Sequence, residues 1–202
     1  IPDASGMREG LLRLAALSGV GWIRDRIRWR EMEPTPGNPA PETYYDVMAR
    51  KAHESGLQML QVFHDKPSWI KDTPSEPEDL RKVYSFCKEM GKRFGDRVPA
   101  WEPWNEANAR TFGGWTIDHI CSWQKAACLG FKAGHAEGIV AMQPIAGINT
   151  PTLAYGVLAN ETAPYFDVYT IHSYDWERAY QKLWSPAREA ASGKPIWVTE
   201  GD

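Results

Sequence analysis

Helix-like and strand-like stretches alternate strictly along this chain, and that alternation limits the folds open to it. Met7, Leu11, Leu14 and Ala15 make a helical stripe, Gly19 breaks it, and Val20 to Ile27 reads as a strand. A loop rich in proline and glycine (33–39) leads to a helix over 43–55 that stops near Gly56. Leu57 to His64 is a strand, and 66–77 is loop, with Ser75 and Glu78 spaced to cap a further helix. That helix carries Leu80, Val83, Tyr84, Cys87, Met90 and Phe94, three and four apart. Val98 to Trp104 is a strand, Thr116 caps a long helix reaching about Glu137, and Ile139 to Gly147 is a strand. A short helix near 152–160, a strand over 167–173, a helix over 177–191 and a strand over 195–199 complete the chain.

Six strands alternating with helices imply a parallel sheet covered by helices. A doubly wound sheet would carry a glycine-rich phosphate turn after an early strand, and no G-x-G-x-x-G occurs. The pattern fits a (β/α)₈ TIM barrel, which needs about 250 residues; the chain has 202. No linker or low-complexity tract divides it, so residues 1–202 read as one α/β domain. Lys plus Arg is 23 and Asp plus Glu is 26, a net charge of −3 that supplies no cationic field for nucleic acid or acidic lipid. No run is long enough to span a membrane. Cys121 and Cys128 share one helix about 10 Å apart, too far for a disulfide. With Cys87 they read as buried thiols. The unusual count is tryptophan, at ten.

In a barrel, chemistry sits where strands run into their helices. The first strand carries Arg24, Arg26 and Arg28, alternating with Ile23, Ile27 and Trp29. The second ends in His64 and Asp65, and the third runs into Asn105 and Glu106. A later one ends in His172, Ser173 and Tyr174, and the last reaches Glu200. Two carboxylates at one barrel mouth suit glycoside hydrolysis, in which one carboxylic acid protonates the leaving oxygen and an ionised carboxylate attacks carbon or activates water. An arginine beside one of them separates their pKa values. Arg24 can point into the barrel. Glu200 shares a face with Ile196 and Val198, which suits an inward strand. Glu102 reads as a buried partner for an arginine.

The local sequences carry a resemblance. Residues 101–108, Trp-Glu-Pro-Trp-Asn-Glu-Ala-Asn, resemble the W-N-E-P-N signature of clan A glycoside hydrolases, in which an Asn-Glu pair ends the fourth barrel strand. Pro195 to Gly201 resembles the seventh-strand segment that ends in the nucleophile. Gly21 to Arg24 with Trp29 and 33–37 resembles the second strand and its loop, and Asp167 to Tyr174 resembles the sixth strand. The likeness runs through nearly the whole chain and is greatest to family 39 and family 5-like members. Ala107 stands where the signature has proline, which would free the loop.

The resemblance implies a retaining glycosidase with Glu106 as acid/base and Glu200 as nucleophile, needing no metal or organic cofactor and taking a carbohydrate substrate. It implies that Asn105 bonds the sugar 2-hydroxyl, that Arg24 and Tyr174 orient Glu200, and that His64 and His172 line the subsite of the reacting sugar. It favours a secreted or periplasmic enzyme. Trp29, Trp69, Trp115 and Trp176 lie in or near loops after strands, where flat rings suit a pyranose face, and Trp69 and Trp115 are the strongest candidates for that role. Trp123, Trp184 and Trp197 read as packing residues. Arg26 and Arg28, unusual for the clan, hint at an acidic substrate. One rival reading is a metal-dependent barrel hydrolase or isomerase using His64, Asp65, His172 and Glu200. A second is a non-catalytic carbohydrate-binding protein. Numbered against the clan, the strands run from the second to the seventh, so the expectation is an internal piece of a longer barrel.

Overall fold

The computed structural model describes residues 4–201 apart from 76, 78, 148–150 and 175, and side chains from residue 10 onward apart from 175–183. The elements in chain order are α1 (Ala4–Leu17), β1 (Trp22–Arg28), α2 (Trp29–Met32), α3 (Tyr44–Glu54), β2 (Gln58–His64), α4 (Leu80–Phe94), β3 (Ala100–Glu102), α5 (Ile117–Gly134), β4 (Ile139–Val140), α6 (Pro151–Ala159), β5 (Tyr169–Ser173), α7 (Trp176–Ala191) and β6 (Ile196–Gly201). All six expected strands form. β1 to β4 pair in parallel in sequence order, β5 pairs in parallel with β6, and a parallel bridge from Ala141 to Val168 joins the two groups into one arc. This is an incomplete (β/α)₈ barrel.

Two strands are shorter than the sequence suggests, for identifiable reasons. Pro99 and Pro103 flank β3, and neither has an N–H for the ladder, so three residues remain. Beyond β4 the chain turns to other partners: Gln143 N–H donates to Gln124 Oε1 at 2.9 Å, and Pro144 follows. The helix caps also divide. Thr116 Oγ1 accepts from His119 N–H as expected, whereas α4 is capped by Asp79, whose carboxylate accepts from Arg81 N–H at 3.0 Å. Ser75 therefore does not cap that helix, and Glu78 lies outside the described residues. The one-turn α2 is new, since the 3.6-residue period has no room to show in four residues.

The strand faces separate two apolar layers. Ile27, Met59, Phe63, Trp101, Tyr169 and Ile171 point outward into the helices, where the large core lies. Leu60, Ala100, Ala141 and Val168 point inward with Trp197 against them. On α1 the expected stripe is buried only in part: Leu11 and Leu14 are exposed, while Ala15 packs against the core beside Leu12 and Ala16. Helices α4 and α5 approach closely, since a Cβ at Gly134 would stand 2.2 Å from the Lys88 carbonyl oxygen. Cys87, Cys121 and Cys128 are free and buried, and burial pushes the Cys121 and Cys128 thiols up to about 11.

The register of β6 decides where Glu200 points. Ile171 pairs with Val198, but His172 pairs with Glu200, so β6 carries an extra residue there. Below that bulge Ile196 faces the helices and Trp197 the barrel interior, the reverse of the alternation the sequence suggests. The bulge shifts the alternation and turns Glu200 inward. Among the described residues no helix is long and apolar enough to cross a membrane.

Candidate active site

Because side chains alternate along a strand, Trp22, Arg24, Arg26 and Arg28 share the inward face of β1. Arg24 holds three acceptors with one planar guanidinium. Its Nε donates to Glu102 Oε2 at 2.7 Å, Nη1 to Glu200 Oε2 at 3.0 Å and Nη2 to Asn105 Oδ1 at 2.8 Å. Arg26 Nη2 reaches the same Glu200 oxygen at 3.3 Å and the same Asn105 oxygen at 3.2 Å. Tyr174, just past β5, donates its hydroxyl to Glu200 Oε1. On β5, His172 Nδ1 lies 2.8 Å from Glu106 Oε1 and 3.8 Å from Glu200 Oε2.

Glu106 stands at the end of the barrel on a short loop after β3, with φ of 45°. That left-handed conformation costs a non-glycine residue about 1 kcal/mol, which the surroundings must offset. They do so with several bonds. Ala109 N–H donates to the Glu106 carbonyl at 2.8 Å and Trp115 N–H to the Ala107 carbonyl at 2.8 Å. Asn108 exchanges two bonds with Ala146, and Trp104 Nε1 donates to the Phe112 carbonyl. Ala107 is fully buried. The loop is thus held without the missing proline, contrary to the expectation that its loss frees the segment.

The two glutamates have different surroundings. Burial raises the Glu200 carboxyl, but the Tyr174 hydrogen bond with the charges of His172, Arg24 and Arg26 outweighs it, so its pKa falls below the ordinary glutamate value. The bond to Glu200 in turn raises the Tyr174 hydroxyl. Glu106 meets neither arginine directly and has His172 as its partner. Asn105 is fully buried, and its Nδ2 has no partner, as is true of His172 Nε2. Glu102 is the buried arginine partner expected. A buried charge stripped of its partner costs about 3–5 kcal/mol, so Glu102 depends on Arg24, while Arg24 also has Glu200 and Asn105.

The structure thus brings Arg24, Asn105, Glu106, His172, Tyr174 and Glu200 together. His64 lines the same cavity as Arg24, Arg26 and Arg28, its Nδ1 3.3 Å from Asp65 Oδ1 and its strand position paired with Arg28. Burial lowers its pKa, Asp65 raises it, and Arg26, Arg28 and Arg30 lower it further. Trp115 does not offer a platform: it is buried, stacked 4.1 Å from the His119 ring and 4.9 Å from Trp104. Trp29 is likewise fully buried, stacked on Phe86. Trp69 is half-buried, edge-on to Trp29. The Trp176 side chain lies outside the described residues. Trp123 and Trp197 pack as expected, but Trp184 is exposed. Arg26 and Arg28 find acids within the protein, Arg26 at Glu200 and Arg28 at Glu31 and Asp65. The sequence does not single out Arg26 as a second clamp on Glu200, although it shares the face of Arg24.

Among the described residues, Glu106, His172 and Glu200 form the one group whose ligand atoms could surround a metal ion, all within 4.8 Å of one another. His64 and Asp65 do not belong to it, so the donor set of the metal reading is not assembled. The two guanidiniums already on Glu200 Oε2 would repel a cation there.

No family model matches the chain. Beta-glucosidase 11 from Arabidopsis thaliana is 29% identical over 112 residues, 52% of this chain and 22% of that protein. Among solved structures, a family 39 glycoside hydrolase from the gut symbiont Bacteroides cellulosilyticus WH2 superposes with a TM-score of 0.71 at 19% identity, covering 87% of this chain and 37% of its own. An exo-beta-1,4-mannosidase from Opitutaceae bacterium strain TAV5 superposes with a TM-score of 0.74 at 15% identity, covering 98% and 42%. The chain therefore spans less than half the length of these relatives. What it shares with them is an architecture, and its fold is part of the (β/α)₈ barrel of these glycoside hydrolases.

Proposed function

We propose that this chain carries the catalytic centre of a retaining glycoside hydrolase that works by double displacement. One observation carries the reading: an oxygen of Glu106 and an oxygen of Glu200 lie within 4.8 Å, Glu200 against Arg24, Arg26 and Tyr174 and Glu106 against His172. Retaining enzymes place their carboxyl groups about 5–5.5 Å apart, whereas inverting enzymes leave about 6.5–9.5 Å for a water. Glu200, held ionised by Arg24, Arg26 and Tyr174, attacks the anomeric carbon. Glu106 gives its proton to the departing oxygen, with His172 orienting the carboxyl. Glu106 then takes a proton from the water that attacks the glycosyl-enzyme, and Glu200 leaves. Asn105 Nδ2, buried and unpartnered, is the donor for the sugar hydroxyl beside the reacting carbon, a bond that strengthens as charge develops.

The partner is a carbohydrate, and the beta-glucosidase relative makes β-glycosides the first substrates to test. The experiment is proton NMR of an aryl β-glycoside during hydrolysis by the full-length protein, read before mutarotation. The β anomer is expected first. The α anomer first would contradict double displacement.

A further inference from the structure

Glu102 sits four residues before Glu106 on the inward face of β3, fully buried, and touches neither the cleft nor the other carboxylates. Its Oε2 accepts from Arg24 Nε, and its Oε1 is buried without a partner. A buried carboxylate paired through one oxygen and orphaned at the other is an expensive way to fill a core, where an apolar residue serves stability as well or better. Its position suggests what the cost secures. A guanidinium is planar, so fixing Nε fixes both Nη atoms, and those two atoms hold Glu200 and Asn105.

The charges facing Glu200 give the second half of the argument. Arg24 and Arg26 approach from β1, His172 from β5 with Tyr174 just beyond it, Glu106 from the loop after β3, and Glu102 stands behind Arg24 on β3. Two guanidiniums on one carboxylate oxygen keep it ionised but withdraw the basicity on which attack depends. A negative charge behind Arg24, in a dry setting where charges act strongly, returns part of it. We propose that Glu102 is a positioning residue that aims Arg24 and offsets its charge, so that Glu200 stays ionised and still attacks. This rests on the double-displacement reading above.

The test uses the full-length protein and Glu102→Gln, which keeps an acceptor for Arg24 Nε, removes the charge and puts an amide NH2 where the unpartnered oxygen stands. The glycosylation rate is expected to fall about tenfold with KM nearly unchanged. The acid limb of kcat/KM is expected to move to lower pH by about half a unit, because losing a nearby negative charge favours ionised Glu200. In a Glu200→Ala background driven by saturating azide, adding Glu102→Gln is expected to change turnover by less than about twofold, since the carboxylate whose basicity Glu102 restores is gone. An acid limb that stays in place or moves to higher pH, or equal losses in both backgrounds, would overturn the proposal. Should Glu102→Gln fail to fold, Glu102→Asp keeps the charge and withdraws it by one methylene: kcat is expected to fall with the acid limb unmoved, and a wild-type kcat would overturn the idea. If Glu200→Ala keeps full turnover, it is the double-displacement reading that fails. If Glu200→Ala is dead and rescued by azide while Glu102→Gln is silent, the Glu102 proposal alone fails.

Discussion

Glu200→Ala is expected to lower kcat/KM by about ten-thousandfold, with substrate binding largely kept. The side chain supplies the bond to the anomeric carbon, and neither Arg24 nor Arg26, its neighbours, can replace it. The variant leaves a space lined by two guanidiniums and the Tyr174 hydroxyl. A small anion suits that space by charge and size, so azide should restore turnover. Because azide then attacks from the face that Glu200 occupied, the product is the glycosyl azide of inverted configuration. The checks are initial rates with and without azide, and NMR of the azide product.

Glu106→Ala is expected to give the complementary result. Loss of the acid should cost about a thousandfold on glycosides with a poor leaving group, and much less on a dinitrophenyl glycoside whose leaving oxygen needs no proton. With the activated substrate the glycosyl-enzyme forms but loses its general base, so water attacks it slowly. Azide needs no base and should release it as the glycosyl azide of retained configuration. Opposite product configurations from the two variants would assign the roles within the pair, and equal configurations would deny the assignment. The basic limb of the pH profile should also flatten in Glu106→Ala, since that limb reports the acid.

The strands and helices were legible because both periods are long enough to read: each expected strand has a structural counterpart, and the helices from 43 to 191 fall close to their expected bounds. Six of the residues named at the strand ends meet in space, since parallel strands of one barrel deliver their C-terminal ends to one mouth. Other features needed three dimensions. The β6 bulge leaves no mark in Pro195–Glu200, yet without it the alternation that puts Trp197 inside would turn Glu200 outward. Trp115 follows two glycines in a loop and reads as exposed, but Trp104 and His119 cover its ring. Which arginine meets which acid is a long-range matter: Arg26 and Glu200 lie 174 residues apart in sequence. The inward face of β1 shows only that Arg26 can join Arg24.

The most direct test of the central claim is covalent trapping of the full-length protein. A β-glycoside fluorinated beside the anomeric carbon and carrying a dinitrophenyl group forms the glycosyl-enzyme faster than water removes it, because the fluorine slows both charged transition states while the leaving group restores only the first. Peptide mass spectrometry of the inactivated protein is predicted to place the sugar on Glu200. Attachment to any other residue, or continued hydrolysis of ordinary glycosides with no covalent adduct formed, would contradict the account.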